Sequence, residues 1–173
     1  METSEVKIRM EAAVQKIRNE DLRNWVLSVL AELPEKAWQR EASLTYHHKD
    51  EQVPGGNKIH EIRTAKVADT LATLYNLNSQ ERDIVKAASL LHDLGRHGPD
   101  AAERYTLKDH ATRVRPFIEE NCPASQWTDV VCSLIETHMS RWGVPLYQPS
   151  IDLRDIIILA DFIASQPYIE IRE

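Results

Sequence analysis

Glycine, cysteine and aromatic residues are scarce in this chain of 173 residues, which has five glycines, two cysteines and 6% aromatic side chains. Cys122 and Cys132 form no close Cys-x-x-Cys pair, so we expect reduced thiols of a cytosolic protein. The most hydrophobic stretch, residues 156–163, is far too short to cross a bilayer and predicts a core helix instead. Residues 1–10 are charged throughout, so we expect no signal peptide and a cytoplasmic location.

Positive charge is also in the minority, because 21 Lys and Arg face 27 Asp and Glu, for a formal net charge of −6. A protein that binds nucleic acid without regard to its sequence needs a large cationic surface to neutralise phosphates. We therefore expect no extended nucleic acid as a partner. A local cationic patch around a binding site is compatible with this charge.

Amphipathic runs at helical spacing do recur along the chain, with capping residues and without alternation of the β type. With 42% hydrophobic residues, they predict an all-α protein, a single-domain helical bundle. Residues 1–45 are predicted to form an N-terminal helical extension packed on the core, with one or two helices in residues 4–32. Residues 46–173 are predicted to form the main domain, and residues 38–57 are the most loop-like stretch.

The most informative local feature is the pair His92 and Asp93, which ends the apolar helical run of residues 84–91 just before Gly95. An imidazole and a carboxylate at the buried end of a helix are costly unless a partner compensates them, and a divalent cation compensates both. An isolated pair would favour a simpler alternative, in which His92 caps carbonyls and Asp93 meets water or Arg96. The positions of other candidate ligands decide between the two interpretations.

Four further candidate ligands each fall on a separate predicted segment: His60, His110, His138 and Asp161. Taken singly, the three histidines have ordinary explanations, as a solvated first-turn residue, a helix-start donor and a C-terminal cap. Asp161 has none, because it interrupts the most hydrophobic helix of the chain. Together with the His-Asp pair, these side chains predict a site for one or two divalent transition-metal ions.

This order of residues resembles the HD-domain superfamily of metal-dependent phosphohydrolases. The resemblance rests on His60, on residues 90–96 (LLHDLGR) and on residues 159–164 (LADFIA), and it covers most of the chain. His110 and His138 resemble the additional ligands of the binuclear branch. The YHH triplet that begins at Tyr46 and the following Gly-Gly pair are similar to the entry segment of the exonuclease-like members of that branch.

The sequence also departs from the family pattern. Arg96 stands where a lysine is frequent, which keeps a cation but changes its hydrogen-bond geometry. Met139 stands where a second histidine often follows the one at His138. The Gly-Tyr-Pro signature of cyclic-di-GMP enzymes is absent from the sequence, so the resemblance disfavours cyclic-di-GMP as the substrate.

The resemblance implies a metal-dependent phosphohydrolase that cleaves a phosphoester bond of a nucleotide or small phosphodiester by a metal-activated hydroxide. The catalytic residues would be Asp93, as a ligand that bridges two ions, and Arg96, as a phosphate clamp. The remaining ligands divide between the ions as His60, His92 and Asp161 for one, and His110 and His138 for the other. Mixed imidazole and carboxylate ligands suit Fe, Mn, Co, Ni or Zn.

Substrate contacts are predicted for Arg96 and for three residues in loops near the ligands, Arg104, Arg141 and Trp142. An aromatic ring together with arginine suits a nucleobase and its phosphate. A small acidic chain favours a phosphorylated small molecule, a nucleotide, as the partner. Whether the chain forms a homo-oligomer is left open.

Three alternatives stay open on the sequence. A mononuclear site of the HD nucleotidase or deoxynucleoside triphosphate hydrolase type would use the other four ligands and leave His110 and His138 as substrate contacts. A non-catalytic, nucleotide-sensing helical module would hold a structural metal. A helical scaffold without metal is the weakest alternative, because it leaves Asp93 and Asp161 unexplained.

Overall fold

The computed structural model describes residues 2–98, 100–139 and 152–171, and within these ranges the chain forms helices and no β-strand. The described part contains seven α-helices and one short 3₁₀ helix, Glu35–Gln39. The α-helices are α1 Thr3–Val14, α2 Glu20–Ala31, α3 Gly56–Leu74, α4 Ser79–Leu91, α5 His110–Asn121, α6 Thr128–Thr137 and α7 Leu153–Ala164. The predicted all-α fold is therefore confirmed. None of the helices in these ranges is long and apolar enough to cross a membrane.

Side-chain caps fix where two of the site-bearing helices begin. At the start of α4, the Asn78 side chain accepts a hydrogen bond from the Glu81 N–H, and the Glu81 carboxylate accepts one from the Asn78 N–H. At the start of α7, the Asp152 carboxylate accepts two backbone N–H groups of the first turn. Such caps satisfy N–H groups that have no partner inside the helix. They set the register in which α4 ends at His92 and α7 presents Asp161.

Helix α3 lies at the centre of the bundle, where it packs along α4 and α7. Helix α6 contacts α4, α5 and α7, which closes the other side of the bundle. Ile156, Ile157 and Ala160 of α7 are fully buried, as the apolar run predicted. The site-bearing helices thus share one apolar core, which holds their ends in fixed positions.

The N-terminal segment contributes to this same core. Residues 4–32 fall into two helices rather than one, and α1 packs on α3 while α2 packs on α4. Val6, Met10 and Trp25 belong to one cluster with apolar residues of the later helices. Burial of these side chains supplies the main stabilising free energy of the contact.

Helix α3 begins at Gly56, within the stretch of residues 38–57 that the sequence predicts to be the most loop-like. A Cβ atom at Gly56 would lie 1.8 Å from the carbonyl oxygen of Glu51. Only glycine permits this close approach between the start of α3 and the preceding loop. The approach holds Glu51 beside the start of α3, where its carboxylate lies 3.7 Å from His60 Nδ1.

Candidate metal centre

The six predicted ligands converge from five elements of the chain. His60 lies in the first turns of α3, His92 and Asp93 at the end of α4, His110 at the start of α5, His138 at the end of α6 and Asp161 within α7. All six are buried, with at most 6% of any of them exposed. All but His92 line a cavity of about 280 Å³. The structure therefore brings every predicted ligand to one place.

Asp161 lies between two imidazoles. Its Oδ1 atom is 2.9 Å from His60 Nε2 and 3.6 Å from His92 Nε2. Burial opposes ionisation of Asp161, but the hydrogen bonds and positive charge of the two histidines outweigh it and lower the pKa of this carboxyl. This geometry explains how an aspartate is accommodated in the most hydrophobic helix of the chain.

Asp93 uses its two oxygens toward different groups. Oδ1 is 3.2 Å from His110 Nε2, and Oδ2 accepts a hydrogen bond from Arg96 Nη1 at 2.7 Å. His110 Nε2 also lies 3.2 Å from His138 Nε2. Burial opposes ionisation of Asp93, but the charges of Arg96 and His92 and the contact with His110 hold its pKa well below the usual range. Asp93 thus contacts Arg96 through one oxygen and, through the other, His110, which in turn contacts His138.

Three of the imidazoles are oriented by a hydrogen bond to a nearby backbone carbonyl. His92, His110 and His138 each place Nδ1 at 2.7–2.8 Å from the backbone carbonyl three residues earlier, to which an Nδ1–H donates. Each ring therefore turns its Nε2 atom toward the cluster. His92 Nε2 is buried without a hydrogen-bond partner among the described residues. Once the Nε2 proton is lost, this buried nitrogen and the two carboxylates opposite it form a donor set that suits a divalent transition metal.

The protonation states of the cluster without metal also suit a site for a divalent cation. Burial and the positive charge of His92 lower the pKa of His138 to about 4, so its imidazole is neutral. Burial also disfavours the charged form of His92, but Asp93 and Asp161 outweigh it and raise the pKa of His92 to about 9. The proton on His92 thus supplies positive charge that the two carboxylates need. A divalent cation can take over that role.

Arg96 is held against the cluster rather than free in the cavity. Its Nη1 atom donates to Asn57 Oδ1 at 3.1 Å as well as to Asp93, and its Nε donates to Thr106 Oγ1 at 2.9 Å. Arg96 is 6% exposed and also lines the cavity. The structure places it where it fixes Asp93, and its predicted role as a phosphate clamp stays a prediction.

Gly95 explains how the turn after Asp93 approaches the next ligand. A Cβ atom at Gly95 would lie 2.4 Å from the carbonyl oxygen of His110 and 3.0 Å from Arg113 Cβ. No larger residue fits there without displacing the start of α5. The glycine therefore sets the distance between Asp93 and His110.

A further cluster of potential ligands, which the sequence did not single out, contains His60 and two residues of the loop before α3. His47, Glu51 and His60 bring one ligand atom each within 4.8 Å of one another. In the sequence, His47 is marked only as part of the YHH triplet, and no motif marks Glu51. Glu51 lies in a stretch without helical periodicity, so no local pattern could have assigned it a partner.

The predicted substrate residues have different outcomes. Arg104 is exposed, with its guanidinium carbon 5.5 Å from the centre of the Tyr105 ring, and it is not among the described residues that line the cavity. Arg141 and Trp142 lie outside the described residues. Of the two predicted substrate residues that the structure describes, Arg96 is the one at the cluster.

Comparison with known protein families gives one match. The family model described as HD domain matches residues 57–161, which is more than half of the chain and contains all six predicted ligands. The searches of curated proteins and of solved structures give no match.

Proposed function

Because the chain belongs to the HD-domain family, we propose that it is a metal-dependent phosphohydrolase that cleaves a phosphoester bond of a nucleotide or small phosphodiester. The observation that carries the proposal is the convergence of four imidazoles and two carboxylates in one buried cluster, of which all but His92 line the same cavity. Family membership by itself leaves the reaction open, because one fold serves several functions. The buried donor set adds the chemical reason.

The described geometry supports two groups of ligands that meet at the His-Asp pair. His60, His92 and Asp161 form one group, and His92, Asp93 and His138 form another. His110 joins the second group through its 3.2 Å approach to Asp93. Bound divalent ions would supply an activated water and offset the negative charge that develops on the phosphoryl oxygens. The residues of this chain hold the ions, exclude bulk water and orient the phosphoryl group.

The substrate that fits these features best is small and anionic. The net charge of −6 disfavours a long polyanion, while Arg96 leaves a cationic group at the cavity wall. The cavity volume of about 280 Å³ suits a phosphoryl group with part of its leaving group. We therefore favour a nucleotide or a small phosphodiester over RNA or DNA.

The test is hydrolysis of bis-p-nitrophenyl phosphate and of a nucleotide panel after loading with Fe, Mn, Co, Ni or Zn. We expect turnover with at least one metal and none after chelation. Asp93→Asn should lower the rate by more than about 100-fold, because loss of a ligand exceeds the typical 10–100-fold effect of an outer partner. Asp129→Asn is the control, because the Asp129 side chain is 95% exposed. Absence of turnover with every metal would contradict the proposal.

Elemental analysis of the same samples separates the binuclear from the mononuclear form. Two ions per chain support Asp93 as a bridge, and one ion supports the alternative in which His110 and His138 contact substrate. His92 has only Nε2 free for a metal and can bind one ion, so a second ion would need Asp93 as the bridge and His110 and His138 as ligands. Tight nucleotide binding by the fully loaded protein without any product would support a sensing module instead.

A further inference from the structure

Glu51 is a fully buried carboxylate outside the segment that matches the HD domain. Its Oε1 atom accepts a hydrogen bond from Arg63 Nη1 at 2.6 Å, and its Oε2 atom accepts one from His47 Nδ1 at 2.9 Å. A buried charge of this kind is retained only when partners compensate it. With an arginine on one oxygen and an imidazole on the other, Glu51 is a hydrogen-bond acceptor inside the protein.

The carboxylate of Glu51 faces the His60 ring on the side away from Asp161. Oε2 of Glu51 lies 3.7 Å from His60 Nδ1, while His60 Nε2, on the opposite side of the ring, lies 2.9 Å from Asp161. His60 Nδ1 is buried and has no hydrogen-bond partner among the described residues. An imidazole that binds a metal through Nε2 carries its proton on Nδ1, and that N–H needs an acceptor. Glu51 Oε2, at 3.7 Å, lies just beyond hydrogen-bond distance, and a small movement of the ring would make it the acceptor.

A metal ion between His47, Glu51 and His60 is the competing interpretation of this cluster. Such an ion would have to bind His60 through Nδ1, while Nε2 of the same ring faces Asp161. It would also lie beside the guanidinium of Arg63, which already pairs with Glu51. Repulsion between the two cations disfavours a metal at this place.

We propose that Glu51 is a positioning residue that orients His60 for metal binding, by accepting the Nδ1–H of its ring. The contact that Glu51 already makes with His47 Nδ1 shows that Oε2 is directed toward this pair of rings. The inference rests on the proposed function, since it assumes that His60 binds a metal. It assigns to the loop before α3 a part in setting the metal affinity.

The test is the zinc affinity of the full-length Glu51→Gln variant, measured by competition with a chromophoric chelator. Loss of the carboxylate should weaken zinc binding about 10- to 100-fold. The matched control is Asp50→Asn, because Asp50 pairs with the same Arg63 but its side chain is 61% exposed. The control should keep its affinity within about twofold, as expected for an exposed ion pair.

Two further measurements separate this role from a merely structural one. Nitrogen NMR of the zinc-loaded wild type should find the His60 ring proton on Nδ1, a result that does not depend on how any variant folds. Circular dichroism of metal-free Glu51→Gln should report an unchanged helix content. A folded variant with wild-type zinc affinity, or a His60 ring without a proton on Nδ1, would overturn the inference and leave the proposed function intact.

His47→Gln identifies which imidazole transmits the effect. If Glu51 acts through His60, this variant keeps zinc affinity within about twofold, whereas an equal loss would make His47 the ligand and overturn the assignment. Failure of the wild type to bind zinc or any other of the tested metals would overturn both the inference and the proposed function.

Discussion

The chemical character of the site depends on which nitrogen of each imidazole faces the cavity. In His92, His110 and His138 the answer is local, since Nδ1 is directed to a carbonyl of the same turn. The carbonyls of Ser89 and Ile135 lie in the last turns of α4 and α6, where the usual N–H partner four residues on is missing, and that of Leu107 lies in the turn before α5. In His60 the answer depends on Glu51, a residue of another segment. The four rings thus present Nε2 for two different reasons.

Arg96→Lys tests whether this arginine holds Asp93 or binds phosphate. A lysine has a single ammonium group and cannot reach Asp93, Asn57 and Thr106 together. A buried acceptor that loses its partner costs about 1–3 kcal/mol. We therefore expect a lower free energy of unfolding, measured with a chelator present, and a lower kcat. Urea denaturation and steady-state kinetics provide the two values.

The control for this change is Arg113→Lys, which alters an exposed arginine paired with Asp109 one helical turn away. It should leave both the stability and the kinetics near those of the wild type. A stable Arg96→Lys protein with a raised KM and an unchanged kcat would instead establish the phosphate clamp.

At the scale of elements, the site is built from helix ends. Helices α4 and α6 deliver ligands at their C-terminal ends, and α5 delivers His110 as its first residue. Asp109 occupies the N-cap position of α5, but its carboxylate pairs with Arg113 and makes no capping hydrogen bond. The position of α5 therefore depends on its contact with the turn at Gly95.

Gly95→Ala should displace the start of α5. The added Cβ would lie 2.4 Å from the His110 carbonyl oxygen, so the backbone must move to accept it. We expect a loss of about 1–3 kcal/mol in the free energy of unfolding, together with weaker zinc binding and slower hydrolysis. Urea denaturation in chelator and chelator competition measure these effects.

Asn78→Ala is the control for a loss of stability that does not involve the turn at Gly95. It removes the cap of α4 far from the turn and should cost about 1 kcal/mol of stability. Its zinc affinity should stay unchanged in the folded protein. If Asn78→Ala and Gly95→Ala weaken zinc binding equally, the effect of Gly95 is one of stability alone.

At the scale of the whole molecule, a buried carboxylate joins the N-terminal helices to the site-bearing helices. Asp83 Oδ2 in α4 accepts the backbone N–H groups of Arg18 and Asn19, between α1 and α2, at 3.0 and 2.8 Å. Its other oxygen pairs with Lys86 at 2.9 Å. Burial opposes ionisation of Asp83, but Lys86 and the two N–H groups outweigh it and lower the pKa.

Asp83→Asn should destabilise the protein in a pH-dependent way. The native state holds Asp83 at a lowered pKa, so its stabilising effect is complete above the unfolded pKa of about 3.9 and disappears as the pH falls through the native value. We expect the variant to lose about 2 kcal/mol at neutral pH, as for hydrogen bonds to a charged group. The difference should shrink below about pH 4, and urea denaturation across this range measures it. A difference that stays constant with pH would contradict the role of the charge.

The sequence by itself determined the helical architecture and the identity of the six predicted ligands. Helical periodicity and caps are local properties, and Asp161 stood out because a carboxylate in an apolar helix needs a partner wherever the helix packs. The family match spans all six of these residues. The start of α3 was predicted less well, because Gly56 begins the helix inside a stretch that the sequence predicts to be loop-like, where it approaches Glu51.

Only the tertiary structure decided which atoms meet. Glu51 was not predicted because its partners, Arg63 and His60, are brought to it by the packing of the loop on α3 rather than by any periodic pattern. The same packing keeps Arg104 on the surface and directs Arg96 against Asp93. Residue types and their spacing can be read from the sequence. The distances between segments depend on how the helices pack to bury the shared core, and only the folded structure specifies that packing.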